Sequence, residues 1–217
     1  AIQKMQERFG WMDIVQVYGL TEGTPIVACG GPGQCRTHPA SVGRAFPFAE
    51  ISIRGDDCKP LEAGAVGEIW TRSPANALGY WNKPEATMET FVDGWCRTGD
   101  LGLVQDGALH IAGRKKDMVR SGGENIYPSE IEDLLLRHPS ISEAAVIGIP
   151  DPVFTEAVCA VVVPKPGAAV SDQDVIAYCA QHLAGFKKPK RVVFVNSLPR
   201  TPSHKIIKSE LRERYRG

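Results

Sequence analysis

The spacing of apolar and polar residues changes character several times along the chain. Ile2, Met5 and Phe9 recur at helical intervals and predict a helix already under way at Ala1. Residues 13–19, DIVQVYG, read as a short strand feeding the loop YGLTEGTP, and Gly- and Pro-rich turns continue to Gly43. The pattern then takes period two, in AEISIRG (49–55) and GEIWTRS (67–73). LGLVQDGALHIAG (101–113) sets two alternating arms around Asp106-Gly107, a pair that favours tight hairpins. This part predicts a small antiparallel sheet or barrel. From Arg114 the alternation dissolves. GRKKDMVRSGGENIYPSE is polar and charged, carries two adjacent glycines, and reads as a linker.

Helical spacing returns in PSEIEDLLLRHP, with Pro128 and Ser129 at its start and His138-Pro139 at its end. Strands EAAVIGI (143–149) and EAVCAVVVP (156–164) follow, then a helix over 171–184 and a strand RVVFVNS (191–197). After the turn PRTPSHK, a basic amphipathic helix is predicted to carry Ile206, Ile207 and Leu211. The second half is therefore a compact α+β domain. The absent initiator Met and the uncapped first helix lead to the expectation of a longer parent protein.

Composition narrows the classes. Hydrophobic content of 43% and charged content of 23% are ordinary for a soluble globular chain of 217 residues. Lys+Arg and Asp+Glu are equal at 25 each, which argues against a general polyanion or nucleic-acid binder. None of the six cysteines forms a CxxC pair or stands at metal-ligand spacing from a histidine, so reduced thiols in a cytoplasmic protein are expected. No apolar run approaches the length of a transmembrane helix. The histidines are scattered and GxSxG is absent, which gives hydrolase chemistry little support.

Several segments carry candidate chemistry. YGLTEG (18–23) follows a strand, where α/β proteins place ligand-binding groups. Thr21 and Glu22 offer what a Mg²⁺–phosphate site requires, and Tyr18 could stack on a base. A plain polar loop is the alternative. In WCRTGDLG (95–102), Asp100 could accept two ribose hydroxyls or simply satisfy its own turn. GRKKDMVRSGGENIYPSEIE concentrates Arg114, further basic residues and Gly122-Gly123 where a hinge could use them, or where a solvated tether would carry them. FKKPK (186–190) sets an aromatic beside three lysines, suiting a phosphorylated nucleotide or a solvated loop.

Taken in order, YGLTEG, GYWNKPEAT (79–87), RTGDLG, GRKKDMVRSGGENIYPSEIE and PRTPSHKIIKSEL resemble the adenylate-forming superfamily: acyl-CoA synthetases, aryl-CoA ligases, adenylation domains and luciferase. The resemblance spans essentially the whole chain. It implies an acid–thiol ligase of α+β fold. Residues 1–113 would be the barrel-like end of a large N-terminal domain, 114–118 a hinge, and 119–217 a small mobile domain. It implies ATP, Mg²⁺ and CoA as cofactor and co-substrates, and a small carboxylic acid as substrate. Lys205 matches the lysine that bridges carboxylate, ribose and α-phosphate. Glu22 matches the Mg²⁺ ligand, Thr21 a phosphate contact, and Tyr18 with Gly19 the adenine site. Asp100 and Arg114 match the ribose-binding pair, and Lys116 the hinge residue. Gly122, Gly123, Phe154, Phe186, Lys188 and Lys190 match the CoA-binding stretch.

Two departures stand out. His204 occupies the position before Lys205 where many members have glycine, and an imidazole there could make the rate pH-sensitive. The family's Ser/Thr/Gly-rich phosphate loop is not found in these residues, so the expectation is a C-terminal portion without turnover of its own. GFKKPK stands where carrier-protein-loading adenylation domains usually differ, which favours CoA. A carrier-loading domain and a non-catalytic nucleotide- or partner-binding relative are the alternatives.

Overall fold

The computed structural model describes residues 2–216; Ala1 and Gly217, the outer ends of the predicted first helix and last domain, lie outside them. The chain divides into two compact units, residues 1–115 and 116–217. The architecture is mixed α+β in antiparallel and mixed sheets.

In the first unit, α1 (Ile2–Arg8) precedes β1 (Val17–Leu20) and β2 (Thr24–Cys29). After α2 (Gln34–Thr37) come β3 (Ser41–Ala45), β4 (Glu50–Arg54) and β5 (Gly67–Arg72). Helix α3 (Pro84–Thr90) leads into β6 (Phe91–Val92), β7 (Trp95–Gln105) and β8 (Ala108–Arg114). The strands form one antiparallel sheet in the order β1-β2-β3-β8-β7-β5-β4, with β6 paired to β7. The β7–β8 hairpin turns at Asp106-Gly107 with positive φ at both residues (52° and 73°), as the tight turn requires. The strand predicted over 13–19 is displaced. It begins at Val17, runs through Gly19 to Leu20, and pairs with β2 across a turn at residues 21–23. Tyr18, Gly19 and Leu20 are thus strand, not loop. A side chain at Gly19 would meet the Pro25 carbonyl oxygen at 2.0 Å, so close strand approach alone demands glycine there.

One face of β4, β5 and β7 carries a stack of guanidinium and indole groups. The Arg54 guanidinium carbon lies 4.3 Å from the Trp70 ring centroid and 4.7 Å from that of Trp95. Arg72 covers Trp95 at 4.7 Å and Arg97 covers Trp70 at 5.3 Å. Contacts of this kind contribute roughly 0.5–2 kcal/mol each and let a sheet carry arginines over aromatic surface.

The second unit opens with a 3-10 turn shared across the division (Lys115–Asp117), then β9 (Val119–Ser121) and β10 (Glu124–Ile126). It continues with α4 (Pro128–Leu135), β11 (Ile141–Asp151), β12 (Thr155–Pro164), α5 (Asp172–His182), β13 (Arg191–Phe194) and α6 (Lys208–Arg214). Strand order is β10-β9-β12-β11, with β13 parallel to β12. The unbroken apolar run of β12 follows from burial on both faces. Val158, Ala160 and Val162 pack with Ile131, Leu134 and Leu135 of α4 and Val175 and Cys179 of α5. Cys159 and Val161 pack with Ala145, Ile147, Leu198 and Leu211 on the other side. Ser171 and Asp174 form a reciprocal capping box that starts α5.

Two sequence expectations are corrected here. The segment read as a linker holds a β-hairpin, with Gly122 and Gly123 as its two turn residues at φ 59° and 87°. Three-residue strands are too short to show a period. The last helix begins at Lys208, so Ile206 and Ile207 precede it; Ile206 instead pairs with Arg200 in an antiparallel bridge.

Two stability predictions follow from these contacts. Ile131→Ala removes a fully buried side chain between α4 and the sheet and is expected to cost about 2–5 kcal/mol in urea unfolding of the second unit. Gly122→Ala puts a β-carbon in a left-handed backbone and 2.9 Å from the Phe154 ring. It is expected to cost about 1–3 kcal/mol in the same titration and to shift the Phe154 ring resonances.

Candidate functional site

The candidate residues fall into two groups, one in each unit. In the first unit, antiparallel pairing of Asp100 with Arg114 across β7 and β8 places their side chains together. Arg114 Nε lies 3.3 Å from Asp100 Oδ1, and the Tyr18 hydroxyl donates to Asp100 Oδ2 at 2.9 Å. Asp100 lies within β7 and not in the turn expected for it, and Thr98 braces the strand there by accepting the Asp100 N–H and donating to the Ile69 carbonyl. Burial, and then the Asp100 carboxylate, push the Tyr18 phenol well above its ordinary range, so it remains a proton donor. Each Asp100 oxygen therefore has one partner. A carboxylate offers about four acceptor sites, which leaves room for two more donors, the number a ribose diol supplies.

Glu22 sits in the turn between β1 and β2 and accepts from the Tyr80 hydroxyl at 2.8 Å. Burial and this hydrogen bond raise the Tyr80 pKa. Tyr80 is itself set by Thr87 of α3, whose hydroxyl accepts the Tyr80 N–H at 2.9 Å. The segment GYWNKPEAT carries no local pattern that marks Tyr80 for this contact. Thr21 is exposed in the same turn. Among the described residues, no group of three or more His, Cys, Asp or Glu could hold a metal ion by itself.

In the second unit, a cavity of about 280 Å³ is lined by Gly122, Phe154, Val158, Phe186, Lys188 and Lys190 among others. Gly123 completes the turn but does not line it. The Lys190 ammonium lies 3.6 Å from the Phe154 ring centroid and 3.1 Å from Asp151 Oδ2. Asp151 accepts the N–H groups of Val153 and Phe154 through its other oxygen, which fixes the loop bearing Phe154. Those backbone donors, with Lys190, hold the Asp151 carboxyl below its ordinary range. Asp151-Pro152 was a legible turn signal that the sequence reading left unused. Lys187 is paired with Glu130 at 2.7 Å, so of the three lysines of FKKPK it is Lys188 and Lys190 that face the cavity.

Lys205 lies in a closed loop and not at the helix start expected for it. Thr201 N–H donates to the Lys205 carbonyl at 2.8 Å, Lys205 N–H donates to the Thr201 hydroxyl at 3.1 Å, and Ile207 N–H donates to the Pro199 carbonyl at 2.9 Å. Arg200 donates to the His204 carbonyl at 2.7 Å and pairs with Glu143 of β11. The backbone is therefore braced while the Lys205 side chain is exposed. His204 adopts φ 62°, the left-handed region that glycine enters without strain and histidine enters more readily than most residues. That geometry explains why glycine suits this position.

The comparisons with known proteins bear on the family of the chain. The family model for AMP-binding enzymes matches residues 1–81, and the model for their C-terminal domain matches residues 130–205. The long-chain-fatty-acid–CoA ligase FadD13 of Mycobacterium tuberculosis is 44% identical over 210 residues, covering 94% of this chain and 40% of that protein. The indoleacetate–CoA ligase of Aromatoleum aromaticum is 44% identical over 201 residues, covering 92% and 39%. Among solved structures, the amide bond synthetase McbA from Marinactinospora thermotolerans has a TM-score of 0.90 at 38% identity, over 99% of this chain and 44% of that one. ATP-bound MatB from Rhodopseudomonas palustris has a TM-score of 0.86 at 39% identity, over 94% and 41%. The chain thus spans about 40% of the length of the curated relatives it matches. On its motifs, fold and relatives, the chain belongs to the adenylate-forming superfamily of AMP-binding enzymes.

Proposed function

We propose that the chain forms the C-terminal part of an ATP-dependent carboxylate–CoA ligase. In the first half-reaction a carboxylate oxygen bonds to the α-phosphorus of ATP and pyrophosphate leaves. In the second, the CoA sulfur bonds to the acyl carbon and AMP leaves, the thiol proton passing to solvent. Residues 1–113 would end the large adenylating domain, 114–118 would be the hinge and 119–217 the mobile small domain. The observation that carries the choice of CoA is the second unit's cavity, where Phe154 and two lysines converge around Gly122. An apolar wall suits pantetheine, and exposed ammonium groups suit a phosphorylated nucleotide.

In this reading Asp100 accepts the ribose hydroxyls with the acceptor sites that Tyr18 and Arg114 leave open, and the Tyr18 ring with Gly19 flanks adenine. Mg²⁺ fits the donor set: it binds through one or two carboxylates plus substrate phosphates, and Glu22, steadied by Tyr80, is one such carboxylate. When bound it would neutralise charge on the phosphates, and Thr21 would contact them. Lys205 brings a cation to two anions that must meet. At about 4 Å and an effective dielectric near 20, one such charge pair amounts to about 4 kcal/mol. The phosphate loop expected of the family is not among these residues, so turnover requires more than this chain. A carrier-protein acceptor is the second reading, and failure of free CoA to discharge the adenylate would favour it. AMP release from a panel of carboxylates, with and without CoA, tests the proposal in the full-length enzyme.

Two substitutions separate the roles. Lys205→Ala is expected to slow adenylate formation by about 10²–10³-fold or more while leaving thioester formation from a supplied acyl-adenylate unchanged. Equal loss in both half-reactions would remove Lys205 from the role given to it. Lys116→Pro is expected to slow the thioester step more than adenylation in single-turnover measurements, and the opposite ranking would remove Lys116 as the hinge.

A further inference from the structure

The residues on either side of Lys116 are held by ion pairs, each within its own unit. Before it, the Lys115 ammonium lies 3.2 Å from Glu68 Oε2 and 3.0 Å from Asp56 Oδ1. Glu68 is only 5% exposed and also accepts from Arg97 Nη2 at 3.2 Å. Burial alone would raise its pKa, but the hydrogen bonds from Arg97 and Lys115 outweigh burial and hold it below the ordinary range, so it stays charged. Arg97 lies over the buried Trp70 ring, which ties this anchor to the core of the β5–β7 sheet.

After Lys116, Asp117 Oδ1 accepts from Arg212 Nη2 at 2.7 Å, and the same nitrogen donates to the Lys116 carbonyl at 3.3 Å. Arg212 belongs to α6, next to Leu211, which is fully buried in the second unit's core. The residue preceding Lys116 is thus paired to the first unit through its side chain, one residue beyond the Asp100–Arg114 pairing of β7 and β8. The peptide group following Lys116 is fixed to the second unit through its own carbonyl and Asp117. Lys116 itself is exposed.

We infer that the Glu68–Lys115 and Asp117–Arg212 ion pairs are clamps that confine rotation between the units to φ and ψ of Lys116. Glu68 and Arg212 are then positioning residues for that motion. The inference rests on the reading of Lys116 as the hinge. Two torsions flanked by held residues give defined end states, whereas a motion spread over residues 114–118 would not. Nothing in the side-chain chemistry of Lys116 is required; what matters is that its neighbours cannot turn.

A double-mutant cycle in the full-length enzyme tests this. Lys116→Pro fixes φ at 116 and biases residue 115 toward extended backbone. Alone, it is expected to slow the thioester half-reaction about 10²-fold, a hinge effect. Adding Glu68→Gln together with Asp56→Asn takes both carboxylates from Lys115, leaves residue 115 to take up the rotation and is expected to recover about tenfold of that loss, a non-additive result. Merely structural carboxylates would make the combined variant as slow as Lys116→Pro or slower, and that result overturns the inference. If Lys116→Pro leaves thioester formation unchanged, the hinge reading itself falls and the clamps with it. Should Glu68→Gln lower the thermal midpoint, Lys115→Met opens the same clamp while keeping the Glu68–Arg97 pair. Recovery is expected there too, and its absence counts equally against the inference.

Discussion

A carboxylate drawn away from water must find donors for its oxygens, and such groups organise this chain. Glu68 is met by Arg97 and Lys115, Asp100 by Tyr18 and Arg114, Asp151 by two backbone N–H groups and Lys190, and Glu132 by the Val146 N–H and Lys208. Each fixes something that packing alone leaves loose. Asp100 holds Tyr18 and Arg114 together, Asp151 the loop that carries Phe154, and Glu68 the last residue of the first unit. Glu132 ties α4 to β11 and to the first residue of α6. Apolar burial builds the two cores, but these pairs decide where polar chemistry sits on them.

The elements legible in the sequence were those with a long period or a strong turn. Asp106-Gly107 announced its hairpin, and Pro128 to Pro139 bracketed α4. Short elements left no such trace. The β9–β10 hairpin has three residues per strand, so its alternation was lost among charges and its glycines passed for a flexible tether. At the end of the chain, Ile206 and Ile207 suggested one helical face. Thr201 and Arg200 instead close the preceding turn with side-chain hydrogen bonds that compete with helix.

Site residues were legible as segments, but not as partnerships. Tyr18 and Asp100 are 82 residues apart and Glu22 and Tyr80 are 58 apart, so no local pattern could pair them. The resemblance supplied a role for Tyr18 at the adenine, and the fold adds that its hydroxyl is already engaged with Asp100. Tyr80, Asp151 and Glu68 carried no candidate role because their function lies in holding another side chain. Gly19 shows the converse: its smallness is fully explained by the Pro25 carbonyl, whatever else the segment contacts.

The left-handed backbone of His204 has an energetic consequence for the lysine that follows. Glycine there would be unstrained but would have far more conformational freedom to lose whenever the loop orders. Histidine reverses the balance, carrying strain in the ordered loop while narrowing the disordered one. Arg200 and Thr201 supply the hydrogen bonds that hold this strained form. The segment thereby holds Lys205 in one backbone geometry, at the cost of strain one residue before it.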